Sequence, residues 1–201
     1  MSDGAIIDER TRAVMARLEA RDTAERAREA PRAERLRQVT PDFGRFLHTL
    51  VLASKPRTVA EVGTSGGYST LWLATAARHL GAMVTTLEID PVKVELATAT
   101  VRDAGLGGTV AIAAGDAFAW LRARREPVDF VFLDAEKEDY LAFFDLIVPL
   151  LPAGGVLVAD NLLSHAEALA PFRERALSDA RLSALVVPIG RGELLAVKVA
   201  G

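Results

Sequence analysis

Two acidic residues, one amide and one lysine are spaced as if to work on a hard cation. Asp134 closes the apolar run VDFVFLDA (128–135), and Asp160 with Asn161 closes GGVLVADN (154–161). If two such runs become neighbouring strands, two carboxylates and an amide oxygen converge at one edge of a sheet. Oxygen donors of that kind suit a divalent cation and leave positions for water and a ligand. Carboxylates that close without a counter-charge would repel each other and hold a proton. Lys137 follows Asp134 by three residues, about one turn on, so its ammonium reaches the same place. It stands out in a chain with 20 Arg and only four Lys. The plain structural reading makes Asp134 a helix N-cap and Lys137 a solvated lysine. Asp160-Asn161 at a second run's end favours the chemical reading.

A second group of residues suits a nucleoside. The run TVAEVG (58–63) leads into Gly63-Thr-Ser-Gly66-Gly67-Tyr68-Ser69. Glycines there let backbone approach a ligand, and the following helix offers its amide hydrogens to an anion. A dinucleotide fingerprint from Gly63 needs glycines where Ser65 and Tyr68 stand, so an NAD-type pyrophosphate site is disfavoured. No Gly-Lys pair followed by Ser or Thr exists, which removes the nucleotide P-loop. Glu88 lies 25 positions after Gly63, at the end of the next apolar run, where a carboxylate can accept from both hydroxyls of a ribose. Gly115-Asp116-Ala117 ends a third run and can close around a base, although Asp116 serves equally as an N-cap. Together these three ends describe a nucleoside ligand that carries a carboxylate.

The elements that must position these residues follow from periodicity and punctuation. Strand-like runs at 58–63, 82–88, 109–115, 128–135 and 154–161 alternate with helical patterns at 70–80, 91–105, 117–125, 139–151 and 165–178. A helix enters at Thr40-Pro41 with Phe43, Phe46, Leu47 and Leu50 on one face. ALVVPIG (184–190) and ELLAVKV (193–199) form a terminal hairpin. The alternation implies an α/β fold: a Rossmann-like, doubly wound sheet, mostly parallel, with a C-terminal antiparallel hairpin. Ligands bind such sheets outside the carboxyl ends of the strands, where every residue named above falls. Residues 1–38 read as an Arg-rich helical extension, broken near Pro31, with Val14, Met15 and Leu18 on one stripe. Residues 39–201 read as the catalytic core of a single domain. His48 and His79 fall on helix surfaces, and His165 at the first turn of a surface helix.

With 201 residues, 50% hydrophobic and 25% charged, the chain has material for one core and is not a disordered sequence. No apolar stretch approaches the ~20 residues of a membrane span. No Cys is present, which excludes disulfides, thiolate metal sites and a Cys nucleophile. A net charge of -3 gives no reason to expect a nucleic-acid partner. The absence of a signal segment points to the cytoplasm.

The ordered set AEVGTSGGYST, TLEID, GDA, LDAEKEDY, PAGGVLVADN and VVPIGRGELLAVK resembles the cation-dependent, catechol- or caffeoyl-CoA-type O-methyltransferases of the class I S-adenosylmethionine (SAM) fold. The resemblance runs from about Gln38 to Lys198. It implies that Val39 and Thr40, with Gly63, Thr64 and Ser69, hold the methionine end of SAM, supported by Glu61. Tyr68 would pack near the sulfonium. Glu88 would hold the ribose, Asp116 and Ala117 the adenine, and Asp134 would border the cofactor. Asp134, Asp160 and Asn161 would bind Mg²⁺ or another divalent cation such as Ca²⁺ or Mn²⁺, and Lys137 would be the general base. The implied acceptor is a small phenolic or catechol hydroxyl, and the implied assembly a homodimer, for which the stripe on the N-terminal extension offers a surface. A cation-independent methyltransferase on another O or N acceptor, or a non-catalytic nucleoside-binding module, is the alternative.

Overall fold

The computed structural model describes residues 6–31 and 34–199. Seven strands form one sheet: β1 (Thr58–Val62), β2 (Met83–Glu88), β3 (Val110–Ala114), β4 (Phe130–Leu133), β5 (Val156–Ala159), β6 (Leu182–Val187) and β7 (Glu193–Lys198). Their order is β3-β2-β1-β4-β5-β7-β6. The first five pair in parallel, and β7 runs antiparallel between β5 and β6. The doubly wound sheet with its closing hairpin is therefore as expected. The chain reverses direction across the sheet between β1 and β4, so a crevice opens there at the strands' carboxyl ends.

Alternation along each strand sends side chains to two cores. In β4, Phe130 and Phe132 pack with α2 (Pro41–Ser54), α3 (Tyr68–Leu80) and α4 (Pro91–Asp103). Val131 and Leu133 pack on the other face with α5 (Ala117–Ala123), α6 (Tyr140–Leu150) and α7 (Ala170–Ser178). Both faces are covered, which is why the parallel strands read as unbroken apolar runs.

Helix starts carry the expected signals. Thr40 caps α2 by accepting from the Phe43 amide, with Pro41 in the first turn, and Asp90 and Asp116 cap α4 and α5. The N-terminal helix α1 (Glu9–Ala27) begins at an Asp8 cap. Its Arg10 donates from Nε to Asp103 O at 2.5 Å and from Nη2 to Arg102 O at 3.0 Å, satisfying carbonyls at the end of α4.

Three expectations need correction. The stripe of Val14, Met15 and Leu18 is buried within this chain, where α1 packs on α3 and α4, so it offers no face to a second subunit. His48 is not on a helix surface. It is buried between α2 and α3, with Nδ1 3.2 Å from Trp72 O and 3.1 Å from Thr75 Oγ1. The close approach that buries it depends on Gly44, where a Cβ would lie 2.2 Å from the Trp72 ring. Finally, α7 starts at Ala170 and not at 165. Residues 162–169 form turns, because Leu162, Leu163 and Ser164 give their amides to carbonyls of Gly192 and Arg191 instead of to a helix. Among the described residues no helix is long and apolar enough to cross a membrane.

Candidate active site

The crevice holds a cavity of about 730 Å³, bordered by the ends of β1 to β5 and by a strap, Arg35, Leu36 and Arg37, that precedes α2. The strand ends stay aligned because the ladder continues one residue past each strand. Gly63 N bonds Leu87 O, Asp134 N bonds Val62 O, Asp160 N bonds Leu133 O and Gly115 N bonds Glu88 O. Gly63 is obligatory: its φ is +98°, and a Cβ would meet Asp134 O at 2.1 Å.

At the nucleoside end, Glu88 is buried and already committed. Oε2 accepts from Ser65 N at 2.8 Å, and Oε1 from Ile89 N and Asp90 N at 3.0 Å each. The carboxylate thus ties the glycine-rich turn to the β2–α4 turn and still lines the cavity. Asp116 fills both of its candidate positions, accepting from Phe118 N at 2.8 Å as the α5 cap while lining the cavity beside Gly115 and Ala117. Ile89, 73% exposed, stands on the cavity lip, and Phe118 stacks on Phe143 with centroids 4.0 Å apart.

The residues expected to hold the methionine end fall into two sets. Gly63 lines the cavity. Glu61, Thr64 and Ser69 are buried behind it. Glu61 Oε2 accepts from Thr70 at 2.5 Å and Thr86 at 2.6 Å, and Thr86 also meets Thr64 at 2.5 Å, while Glu61 Oε1 is buried with no partner. Burial pushes the Glu61 carboxyl up to about 7, against the hydroxyls of Ser69, Thr70 and Thr86 that hold it down. Val39 is in the core and Thr40 caps α2, so neither lines the cavity; Leu36 and Arg37, just upstream, do. Ser65 Oγ fixes this strap by donating to Leu36 O at 2.6 Å, and Arg37 reaches across to Glu136 at 2.8 Å. Tyr68, expected beside a sulfonium, is not on the wall. Its ring packs edge-on to Trp72 and its hydroxyl donates to Glu19 of α1 at 2.5 Å.

At the other end, β4 and β5 are neighbours and their tips meet. Asn161 Nδ2 donates to Asp134 Oδ1 at 3.0 Å, and Asn161 sits at φ +76°, a left-handed turn that aims its amide back across the tips. Lys137, in a 3-10 turn ahead of α6, donates from Nζ to Asp134 Oδ1 at 3.1 Å, Ala135 O at 2.8 Å and Tyr140 Oη at 3.0 Å. Three acceptors are the full complement of an ammonium. Asp160 is buried; Oδ1 accepts from Asn161 N at 2.5 Å and Oδ2 has no partner. Burial, then the charge of Asp134, raises its pKa.

Sequence reasoning missed Glu193 and Arg191. Glu193 is fully buried beside Asp160, its Oε2 also without a partner, and burial with the charge of Asp160 pushes its pKa strongly up. The two orphaned oxygens are matched if Glu193 keeps its proton. A Glu opening the apolar strand ELLAVK is the only sequence signal for it, and the antiparallel register that brings β7 beside β5 is needed to place it. His165 lines the cavity, with Nδ1 3.0 Å from Ser164 Oγ.

The profile of a family described as O-methyltransferase matches residues 15–199. The chain is 38% identical over 152 residues to a catechol O-methyltransferase of Mycobacterium tuberculosis, covering 75% of this chain and 65% of that one. It is 35% identical over 135 residues to a catechol O-methyltransferase of Niastella koreensis, covering 65% and 61%. The alignments thus take in less than two-thirds of either relative's length. The crystal structure of an O-methyltransferase from Bacillus cereus in complex with SAH superposes with a TM-score of 0.78 at 28% identity, over 92% of this chain and 90% of that one. With a doubly wound sheet, a cavity across its strand tips and a match over nearly its whole length, the chain belongs to the O-methyltransferase family, of the class I SAM-dependent kind.

Proposed function

We propose that the chain transfers a methyl group from SAM to a hydroxyl of a small phenolic, catechol-type acceptor, assisted by a divalent cation. The observation that carries this reading is the arrangement along the cavity. Glu88 on β2 and Asp160 on β5 are three strand spacings apart, about 14 Å at about 4.8 Å per step. A nucleoside on the Glu88 side can therefore extend its methionine arm over Gly63 toward the Asp134-Asp160-Asn161 corner. Ile89 and the Gly115–Phe118 turn are the surfaces for the base, and Glu88 retains lone pairs for ribose hydroxyls.

The donor set at that corner fits a hard cation. Asp160 Oδ2 faces no donor other than a protonated Glu193, Asp134 is beside it, and a half-turn of the Asn161 amide would present its oxygen. When bound, the cation supplies positive charge that favours a phenolate over a phenol, whose pKa of about 10 otherwise keeps it neutral and weakly nucleophilic at pH 7. Lys137 must give up one of its three protons to serve as a base, and its position on Asp134 then lets Nζ take the hydroxyl proton. The acceptor oxygen forms its bond to the methyl carbon as the carbon–sulfur bond breaks, and S-adenosylhomocysteine (SAH) remains. Catalysis of this kind rests on alignment, which the backbone-fixed strand tips supply.

One observation favours the cation-independent alternative. Asp134 Oδ1 is already matched by Lys137 and Asn161, and among the described residues no group of three His, Asp or Glu side chains is placed to hold a metal ion. Mass spectrometry of a catechol incubated with the protein and SAM separates the two. Product that forms with Mg²⁺ and vanishes with chelator supports the proposal; product unaffected by chelator supports the alternative, and no methylated catechol under either condition refutes the phenolic reading.

A further inference from the structure

The turn Gly190-Arg191-Gly192 places a cation on the cavity wall near Asp160. Both glycines have positive φ, +58° and +84°. A Cβ on Gly192 would lie 2.2 Å from Leu163 Cγ, and one on Gly190 would lie 3.0 Å from Phe43 Cβ and from Glu193 Oε1. The turn is thus wedged between α2, the segment after Asn161, and β7. Its backbone is pinned as well: Leu163 N and Ser164 N bond Arg191 O at 3.1 and 3.0 Å, and Leu162 N bonds Gly192 O at 2.7 Å. So fixed a turn sets where the Arg191 side chain leaves the backbone, and its Nη2 contact with Gln38 O tethers the guanidinium to the segment ahead of α2.

Its charge acts on Asp160 without closing into an ion pair. Arg26 and Arg37, which also line the cavity, hold Asp22 and Glu136 at 2.7 and 2.8 Å. Arg191 donates from Nη2 to Gln38 O at 3.3 Å, and among the described residues no carboxylate lies within 4.0 Å of its guanidinium. With Lys137 neutral as the base, Asp134 and Asp160 outweigh Arg191 by one charge, and a divalent cation with a sulfonium would still leave this end net positive. A phenolate offsets only part of that.

We infer that Arg191 is a specificity-determining residue that recognises an anionic group, a carboxylate in the first instance, on the methyl acceptor. The inference rests on the phenolic reading and deepens it: the acceptor is a hydroxylated aromatic acid rather than a neutral or cationic catechol. A guanidinium presents paired donors that match a carboxylate, and the pair is stronger than a neutral contact.

The test compares 3,4-dihydroxybenzoate with its neutral isostere 3,4-dihydroxybenzamide, each measured as kcat/KM with SAM and Mg²⁺, and each titrated calorimetrically into the SAH-bound protein. The expected result is a preference for the acid of about tenfold to a hundredfold. Arg191→Gln loses that preference through a selective loss on the acid, Arg191→Lys keeps part of it, and SAH affinity stays the same in both. Equal use of acid and amide by the wild-type protein, or a preference that survives Arg191→Gln, overturns the inference while leaving the phenolic reading intact. SAH affinity falling in step with acid affinity also overturns it, assigning Arg191 to the methionine carboxylate. If SAH binds and neither catechol is bound or methylated, the phenolic reading fails and this inference with it.

Discussion

Glu61→Gln should make the protein's stability respond less to pH. Glu61 lies under the first strand tip, 0% exposed, with Oε2 held by Thr70 and Thr86, the Ser69 hydroxyl nearby, and Oε1 without a hydrogen-bond partner. Burial raises its pKa from 4.5 to about 7. Below pH 4.5 both folded and unfolded chains carry the proton, and the group costs nothing. Between 4.5 and 7 the unfolded chain releases it while the folded chain keeps it, so stability falls as pH rises and levels off above 7. Converted at 1.36 kcal/mol per pH unit, that interval is worth about 3 kcal/mol. Glutamine keeps the shape and an acceptor for the two threonines but has no proton to lose. Urea unfolding from pH 4.5 to 8 should therefore show the variant gaining about 3 kcal/mol on the wild type. A difference that stays flat with pH would mean Glu61 is ionised in the folded protein, and that the hydroxyls around it outweigh burial.

Four further outcomes follow from the same geometry. Glu88→Ala leaves three backbone amides without their acceptor and should weaken SAH binding by at least the ~1.5 kcal/mol of one charged hydrogen bond, read by calorimetry. Lys137→Ala should lower kcat by roughly 10²–10⁴ with SAH affinity retained, and raising the pH should restore part of the rate by supplying phenolate without a base; a loss independent of pH would remove Lys137 from proton transfer. Mg²⁺ should raise the melting temperature of the wild type, an effect that Asp160→Ala abolishes; an equal rise in both would place the ion elsewhere. Gly192→Ala forces a side chain into Leu163 at positive φ and should cost about 1–3 kcal/mol in unfolding free energy, detectable as a lower urea midpoint.

The strand tips were legible because the physics that buries a parallel strand also marks its end. FVFL and VLVA are covered on both faces, so each reads as an apolar run, and the first polar residue after it is the tip. Glu88, Asp134, Asp160 and Asn161 were found that way. Residues placed by register or by a distant element were not. Glu193 gains its meaning only because β7 pairs antiparallel with β5, and Tyr68 is drawn from the cavity by a glutamate 49 positions earlier, on a helix whose docking no local pattern encodes. His48 looked solvated because a single histidine on an amphipathic helix usually is; Gly44, by letting α2 close on Trp72, buries it. Val39 and Thr40, which the resemblance assigns to the methionine end, are a core residue and the α2 cap, while Leu36 and Arg37 just before them line the cavity.

The central claim is that the first three strand tips hold a SAM-type nucleoside, and titration calorimetry with SAH and with NAD tests it most directly. One SAH site per chain is expected, weakened by Glu88→Ala, and no heat from NAD, because Ser65 and Tyr68 stand where a pyrophosphate turn needs glycine. NAD binding as tightly as SAH, or SAH failing to bind at all, would contradict it.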